Sequence, residues 1–256
     1  MRAVFVPTER LFYSQVQSFL ATKLLSLPNT FEWFAHWMTR ATDVYASWPK
    51  ERPDTPHGKW VKERARDALH GEAYRWRDTW KWRFKKKQGG EGTLDLTMAS
   101  SGQRATWPIV LLAETLFSMR KRGLIDDDFT IYVEEPEIHL HPEAQVAMVE
   151  ILAHLVKRGF RVLLTTHSLT VLYALNNLVL AGGLTRGKNE KQLPHENSRL
   201  APNTLAAYAL GSGKPKDMVD KETGFISEVE LGKVTEQLDQ TMNRITELLH
   251  ESKNDA

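Results

Sequence analysis

Two short, largely apolar runs, Phe129–Val133 (FTIYV) and Phe160–Thr165 (FRVLLT), bracket one helix-length stretch, Pro142–Lys157. Runs of this kind suit strands covered on both faces, as in a parallel sheet, where apolar residues are not confined to alternate positions. The stretch between them opens on Pro142, which a first helical turn tolerates, and closes on Arg158-Gly159, a helix stop. Strand, helix and strand in that order imply parallel strands joined by a crossover helix. Residues 2–7 add another strand, with Ala3, Val4, Phe5 and Val6 running unbroken to Pro7. The expected fold class is α/β.

Residues 9–48 carry Leu, Phe and Trp at helical spacing, as in Trp33/Trp37 and Phe34/Trp37. Residues 49–58 (PKERPDTPHG) read as a loop. Over 80–98 two period-2 runs, Trp80/Trp82/Phe84 and Leu94/Leu96/Met98, flank the glycine-rich QGGEG and predict an antiparallel hairpin. A helix is expected from near Pro108 to about Arg122, with Gly123 closing it. Residues 182–203 are polar and irregular. Leu231, Val234, Leu238, Met242, Ile245 and Leu249 trace an amphipathic helix over 227–252.

With 256 residues, 41% hydrophobic and 26% charged, the chain has material for one large core, and wholesale disorder is excluded. No apolar run approaches the ~20 residues of a membrane span, and the first apolar stretch is too short for a signal peptide. No membrane association and a cytoplasmic location are the expectation. The absence of Cys removes disulfides, Cys-ligated metals and thiol catalysis. The net charge of +2 conceals an asymmetry: residues 51–90 hold 12 Lys/Arg against 6 Asp/Glu, and residues 217–256 hold 4 against 10. The basic hairpin, with Arg83, Lys85, Lys86 and Lys87, suits a phosphate backbone. The plainer alternative puts its aromatics in the core and its cations in water or opposite Asp95.

Three clusters gather at element ends on one side of the expected sheet. Ala99–Gln103 (ASSGQ) puts small hydroxyl residues and a glycine at a helix start, where backbone N–H groups suit an anion. Ile131–Pro142 (IYVEEPEIHLHP) runs a strand straight into Glu134 and Glu135. Burial and mutual repulsion favour a proton on one of them, suiting a general base, while the other suits magnesium. Leu163–Ser168 (LLTTHS) brings His167 to the same edge, where an imidazole can meet a phosphate or a water. Ligands of α/β sheets sit at such carboxyl ends of strands.

In this order the clusters resemble those of the ABC-type ATPase heads, most closely the OLD-like and SMC-like ATP-binding proteins of the AAA group. ASSGQ resembles the signature motif, IYVEEPE the Walker B motif with its following glutamate, IHLHP the D-loop, and TTHS the switch-histidine motif. The 32 residues from Glu135 to His167 also fit, and VFVPTER resembles a strand and loop ahead of the signature. The resemblance implies a P-loop NTPase-like core with ATP and Mg2+ as cofactors, and ATPase activity. It implies that Ser100, Ser101, Gly102 and Gln103 contact the γ-phosphate of a nucleotide held by the opposite head. Glu134 would help to position the metal, Glu135 would polarise the attacking water, His167 would sense the γ-phosphate, and His139 would lie at the interface. Relatives often carry Asp where Glu134 stands.

The expected division follows: 1–8 a core strand, 9–99 a helical insert with the hairpin, 100–181 the motif-bearing core, and 182–256 a polar loop and helical tail. The P-loop pattern G-x-x-x-x-G-K-[ST] does not precede the signature in these residues. GGLTRGKN at Gly182–Asn189 ends in Asn, and GSGKP at Gly211–Pro215 places Pro where the hydroxyl belongs. The expectation is therefore a head truncated at its N-terminus or completed by a P-loop-bearing partner chain. It would work as a homo- or heterodimer coupled to nucleic acid or to a nuclease or toxin effector. Two alternatives remain at this stage: a non-catalytic module that keeps the dimer surface, and a metal-dependent hydrolase with Glu135, His139, His141 and His167 as ligands.

Overall fold

The computed structural model describes residues 2–15, 28–184, 193–201, 203–211, 213–227, 232, 236–237 and 239–245. Three parallel strands, β1 (Ala3–Val6), β5 (Thr130–Glu134) and β6 (Arg161–Thr165), lie in the order β1-β5-β6. Val6 stands beside Val133, and Glu134 beside Thr165. Val4, Val6, Ile131 and Val133 point into the main core. On the other face Tyr132 and Leu163 stay 39% and 55% exposed, so these strands are covered on one side only by the described residues. A mixed α/β fold with this parallel sheet fits a P-loop NTPase-like core.

Among the described residues five longer helices pack with these strands and with one another: α1 (Asn29–Ala46), α2 (Pro56–Leu69), α3 (Ser101–Lys121), α4 (Pro142–Lys157) and α5 (Leu169–Gly182). Almost every side chain of α3 from Ala105 to Met119 is buried, as expected of a helix apolar on all sides. Against it pack α1, with Phe34, Trp37 and Met38 fully buried, and the antiparallel sheet of β2 (Glu72–Trp76), β3 (Thr79–Lys85) and β4 (Glu91–Asp95). Trp37 meets Phe129 edge-on at 5.1 Å, and Trp80 meets Trp107 at 4.9 Å. One core thus runs through the first strand, α1, the antiparallel sheet and α3. Truncating a central member such as Leu116 to Ala would cost ~2–5 kcal/mol. A smaller core joins the outer side of α4 to α5, Leu200 and Ile226. The short strands β7 (Tyr208–Ala209) and β8 (Lys216–Asp217) pair beyond it.

Three elements depart from the sequence expectation. The long helix starts at Ser101, with Ser100 as its cap, and not near Pro108, which sits inside it. A reciprocal capping box overrides the proline signal: Gln103 N–H donates to Ser100 Oγ at 3.2 Å, and Ser100 N–H donates to Gln103 Oε1 at 3.1 Å. Inside the helix Pro108 lacks the N–H that would have met the Arg104 carbonyl and its ring crowds that carbonyl, at a cost of ~3 kcal/mol that the buried helix bears. The loop at 49–58 ends early because Thr55 Oγ1 accepts the Gly58 N–H at 3.1 Å and Pro56 opens α2. Finally, β2 makes the hairpin a three-stranded sheet. Gly123 and Gly159 end their helices at positive φ, each with a six-residue closing bond, Leu124 N–H to Met119 O and Phe160 N–H to Leu155 O. In the C-terminal tail, Leu231, Val234, Leu238 and Leu249 lie outside the described residues, and Met242 and Ile245 are more than half exposed.

Candidate active site

Strand β5 delivers Glu134 and Glu135 to the carboxyl edge of the parallel sheet, and both are half-exposed, where the sequence suggested burial. At Glu135 the chain leaves the strand at φ 41, a left-handed value that costs a non-glycine residue roughly 1–2 kcal/mol. Its N–H stays in the sheet, donating to Thr165 O at 3.1 Å. The Thr8 N–H donates to Glu134 Oε2 at 3.1 Å, bringing the segment after β1 to the same corner. Two tight turns follow, closed by Ile138 N–H to Glu135 O and Leu140 N–H to Glu137 O.

Strand β6 brings His167 to this edge. The His167 Nε2 lies 3.9 Å from Glu135 Oε1, and the imidazole is largely in solvent. Glu137 organises the approach: its Oε1 accepts from Thr166 Oγ1 at 2.6 Å and from His167 N–H at 3.1 Å. Its Oε2 is buried without a hydrogen-bond partner. Ser168 caps α5 and donates to Gln145 Oε1 at 2.7 Å, and the Gln145 amide donates to Leu140 O. The carboxylate turn, the Thr166–Ser168 loop and the start of α4 are thus one network.

Ser100–Gln103 occupy the cap and first turn of α3. Ser100 and Ser101 are exposed. Gln103 is committed within the chain, its Oε1 to Ser100 N–H and its Nε2 to Leu69 O at 3.1 Å. Gly102 faces the carboxylate turn so closely that a Cβ there would lie 2.6 Å from the His139 carbonyl oxygen. His139 is exposed, at φ 62, on the turn that makes this contact. The structure therefore brings Ser100–Gln103 and Glu135–His139 together within one chain.

Arg10 escaped the sequence reading. Its side chain is fully buried and all its hydrogen bonds go to carbonyls: Nε to Ala105 at 3.0 Å, Nη1 to Pro7 at 3.0 Å and to Glu134 at 2.6 Å, and Nη2 to Glu135 at 2.6 Å. Burial pulls its pKa down to about 10, while Glu137, Glu135 and Glu134 oppose that shift, so it is charged at neutral pH. No sequence pattern marks a buried arginine three residues after a strand-ending proline.

The donor set fits the expected magnesium and phosphates. Glu134 and Glu135 offer hard oxygens, and magnesium usually takes one or two carboxylates beside its waters and substrate phosphates. The start of α3 offers N–H groups and hydroxyls to an anion. Among the described residues no group of three or more His, Asp or Glu is placed to hold a metal, so Glu135, His139, His141 and His167 do not come together as such a group there. On the hairpin, Trp80 and Trp82 are buried, Lys81 stands opposite Asp95 and Lys85 opposite Glu91. Arg83 lies 3.6 Å from Glu72 and over the Tyr74 ring at 4.3 Å.

Residues 50–172 match the family model of an AAA ATPase domain. The matched stretch runs from the loop ahead of α2 through the signature and the carboxylate turn to His167. It supports an AAA/ABC-type ATPase family and, by resemblance, ATP binding and hydrolysis. No curated protein matches the chain significantly. Among the described residues no helix is long and apolar enough to cross a membrane.

Proposed function

We propose that the chain is the hydrolytic part of an ABC-type ATPase head that works as a homo- or heterodimer on ATP and Mg2+. The observation that carries this reading is the meeting of Glu135 and His167 at the ends of adjacent parallel strands, 3.9 Å apart, with the start of α3 packed on the same turn. In this reading Glu135 accepts a proton from the attacking water and Glu134 contributes an oxygen to the metal. His167 donates toward the terminal phosphate. Ser100 and Ser101, with the free N–H groups of the first turn of α3, receive the phosphate of a nucleotide held by the opposite head. Gly102, lacking a side chain, lets that turn sit on the carboxylate turn, and the Gln103 side chain holds the turn in shape through Ser100 N–H and Leu69 O. His139 lies at the junction between heads. When bound, magnesium would neutralise the phosphate charge as the bond to the leaving group breaks.

The P-loop comes from outside these 256 residues, on a partner chain or a longer form of this one, and the head drives nucleic acid or a nuclease or toxin effector. The resemblance supports this part of the reading. Two measurements test it. Phosphate release by the assembly purified with this chain from its own cells is expected, and Mg-ATP titrated calorimetrically into the chain alone is expected to show no binding. Micromolar binding with turnover by the lone chain contradicts the external cradle. An intact assembly that never turns over ATP contradicts the ATPase reading and leaves the non-catalytic module.

A further inference from the structure

We propose that Arg10 is a positioning residue that fixes the direction in which Glu135 projects and couples it to the N-terminal end of α3. The proposal rests on the ATPase reading only in giving Glu135 its role. The carbonyls of Glu134 and Glu135 belong to the two peptide groups that flank the Glu135 Cα, and Arg10 donates to both. The N–H of the first of these peptides is also held, by Thr165 O. With both planes pinned, neither φ nor ψ of Glu135 is free, although its φ of 41 lies where a side chain is ordinarily unwelcome. The same guanidinium reaches Ala105 through Nε and Pro7 through Nη1, so one planar fork joins the post-β1 segment, the first turns of α3 and the end of β5.

A buried cation is an expensive way to satisfy carbonyls, because its water is lost and a neutral donor would serve as well. The expense is explained by the surroundings. Glu137, Glu135 and Glu134 are the charges that act on Arg10, and they converge on the edge it underlies. A fixed positive charge behind three gathered carboxylates lets them stay together without a direct ion pair occupying any of their oxygens. Lysine cannot replace it, since a single ammonium lacks the rigid fork that spans the two carbonyls.

The experiment compares wild type, Arg10→Lys and Arg10→Met as full chains, by amide hydrogen exchange followed by mass spectrometry, with thermal unfolding alongside. Exchange over residues 134–141 and 100–106 is expected to quicken by roughly ten- to a hundredfold in both variants, the weight of one or two charge-assisted hydrogen bonds. Residues 72–95 are expected to keep their wild-type rates. In the ATP-hydrolysing assembly kcat is expected to fall in step while KM for ATP moves less than about twofold. Should Arg10→Met not fold, Arg10→Lys carries the comparison. Exchange that rises evenly along the chain, or an Arg10→Lys protein identical to wild type over 134–141, overturns the proposal. The exchange readout needs no nucleotide, so an assembly without turnover sinks the ATPase reading while the local exchange result still decides the role of Arg10.

Discussion

Replacing Gly102 by Ala tests the seat of the signature turn on the carboxylate turn. The added Cβ would sit 2.6 Å from His139 O, 3.4 Å from Leu140 Cδ2 and 3.5 Å from the His139 carbonyl carbon. The leucine methyl is ordinary contact, but the oxygen is backbone and must retreat by most of an ångström. It cannot do so freely, because the turn is tied by Leu140 N–H to Glu137 O at 3.0 Å and by Gln145 to Leu140 O at 3.0 Å. Overpacking of this kind costs ~1–3 kcal/mol. Alanine in a helix returns ~0.5–1 kcal/mol over glycine. At the middle of these ranges the clash wins, leaving a net loss of about 1 kcal/mol, or about 2–4 °C in Tm for a chain of this size. Differential scanning fluorimetry of Gly102→Ala beside Gly211→Ala reads it, since a Cβ on Gly211 meets nothing within 4 Å. Turnover by the assembly should fall as well, because the turn that must yield carries Glu135. A Gly102→Ala protein as stable and as active as wild type would refute the contact.

Glu114 and His154 set opposite pH limbs. Burial lifts the Glu114 carboxyl from 4.5 to about 8, with Lys62 opposing and Glu72 adding to the shift. The native state then keeps a proton that the unfolded chain has released, so stability falls as pH rises from about 4.5 to about 8. Glu114→Gln should abolish that fall, worth no more than about 5 kcal/mol, and raise Tm at pH 8. Burial pulls His154 from 6.5 down to about 4, with Asn197 O opposing and the charges nearby adding, so acid between those values destabilises the fold. A His154→Gln protein should show a flatter Tm from pH 6.5 to 4. On the hairpin, reversing Lys86 and Lys87 should leave DNA retention on a heparin-calibrated column unchanged, and a steep salt-dependent loss would instead reveal a phosphate grip.

The strands were legible because their signal is local. Ala3–Val6, Phe129–Val133 and Phe160–Thr165 are short apolar runs with clear stops, and the sheet assembles them in parallel, although the described residues cover only one of its faces. Gly123 and Gly159 announced their helix ends for the same reason, needing only a left-handed residue after the last turn. The start of α3 was obscured because Pro108 is a louder signal than Ser100 and Gln103, whose value lies in bonding each other. The strand β2 was obscured because the turn into β3 is Arg77-Asp78, with Arg77 itself at φ 55, where glycine or asparagine would have flagged a hairpin. At the site, Glu134, Glu135 and His167 stood out by type and position. Arg10 and Glu137 did not, because their importance comes from backbone groups far away in sequence: Ala105 and Glu134–Glu135 for Arg10, and the Thr166-His167 loop for Glu137.

In the proposed function Glu135 performs the chemistry at this edge. Phosphate release under single-turnover conditions by the ATP-bound assembly, wild type against Glu135→Gln, addresses it directly. The expected result is a rate lower by ~10²–10⁴-fold, the usual worth of a positioned general base, with nucleotide still retained by the assembly. An unchanged rate in Glu135→Gln, at equal nucleotide occupancy, would contradict it.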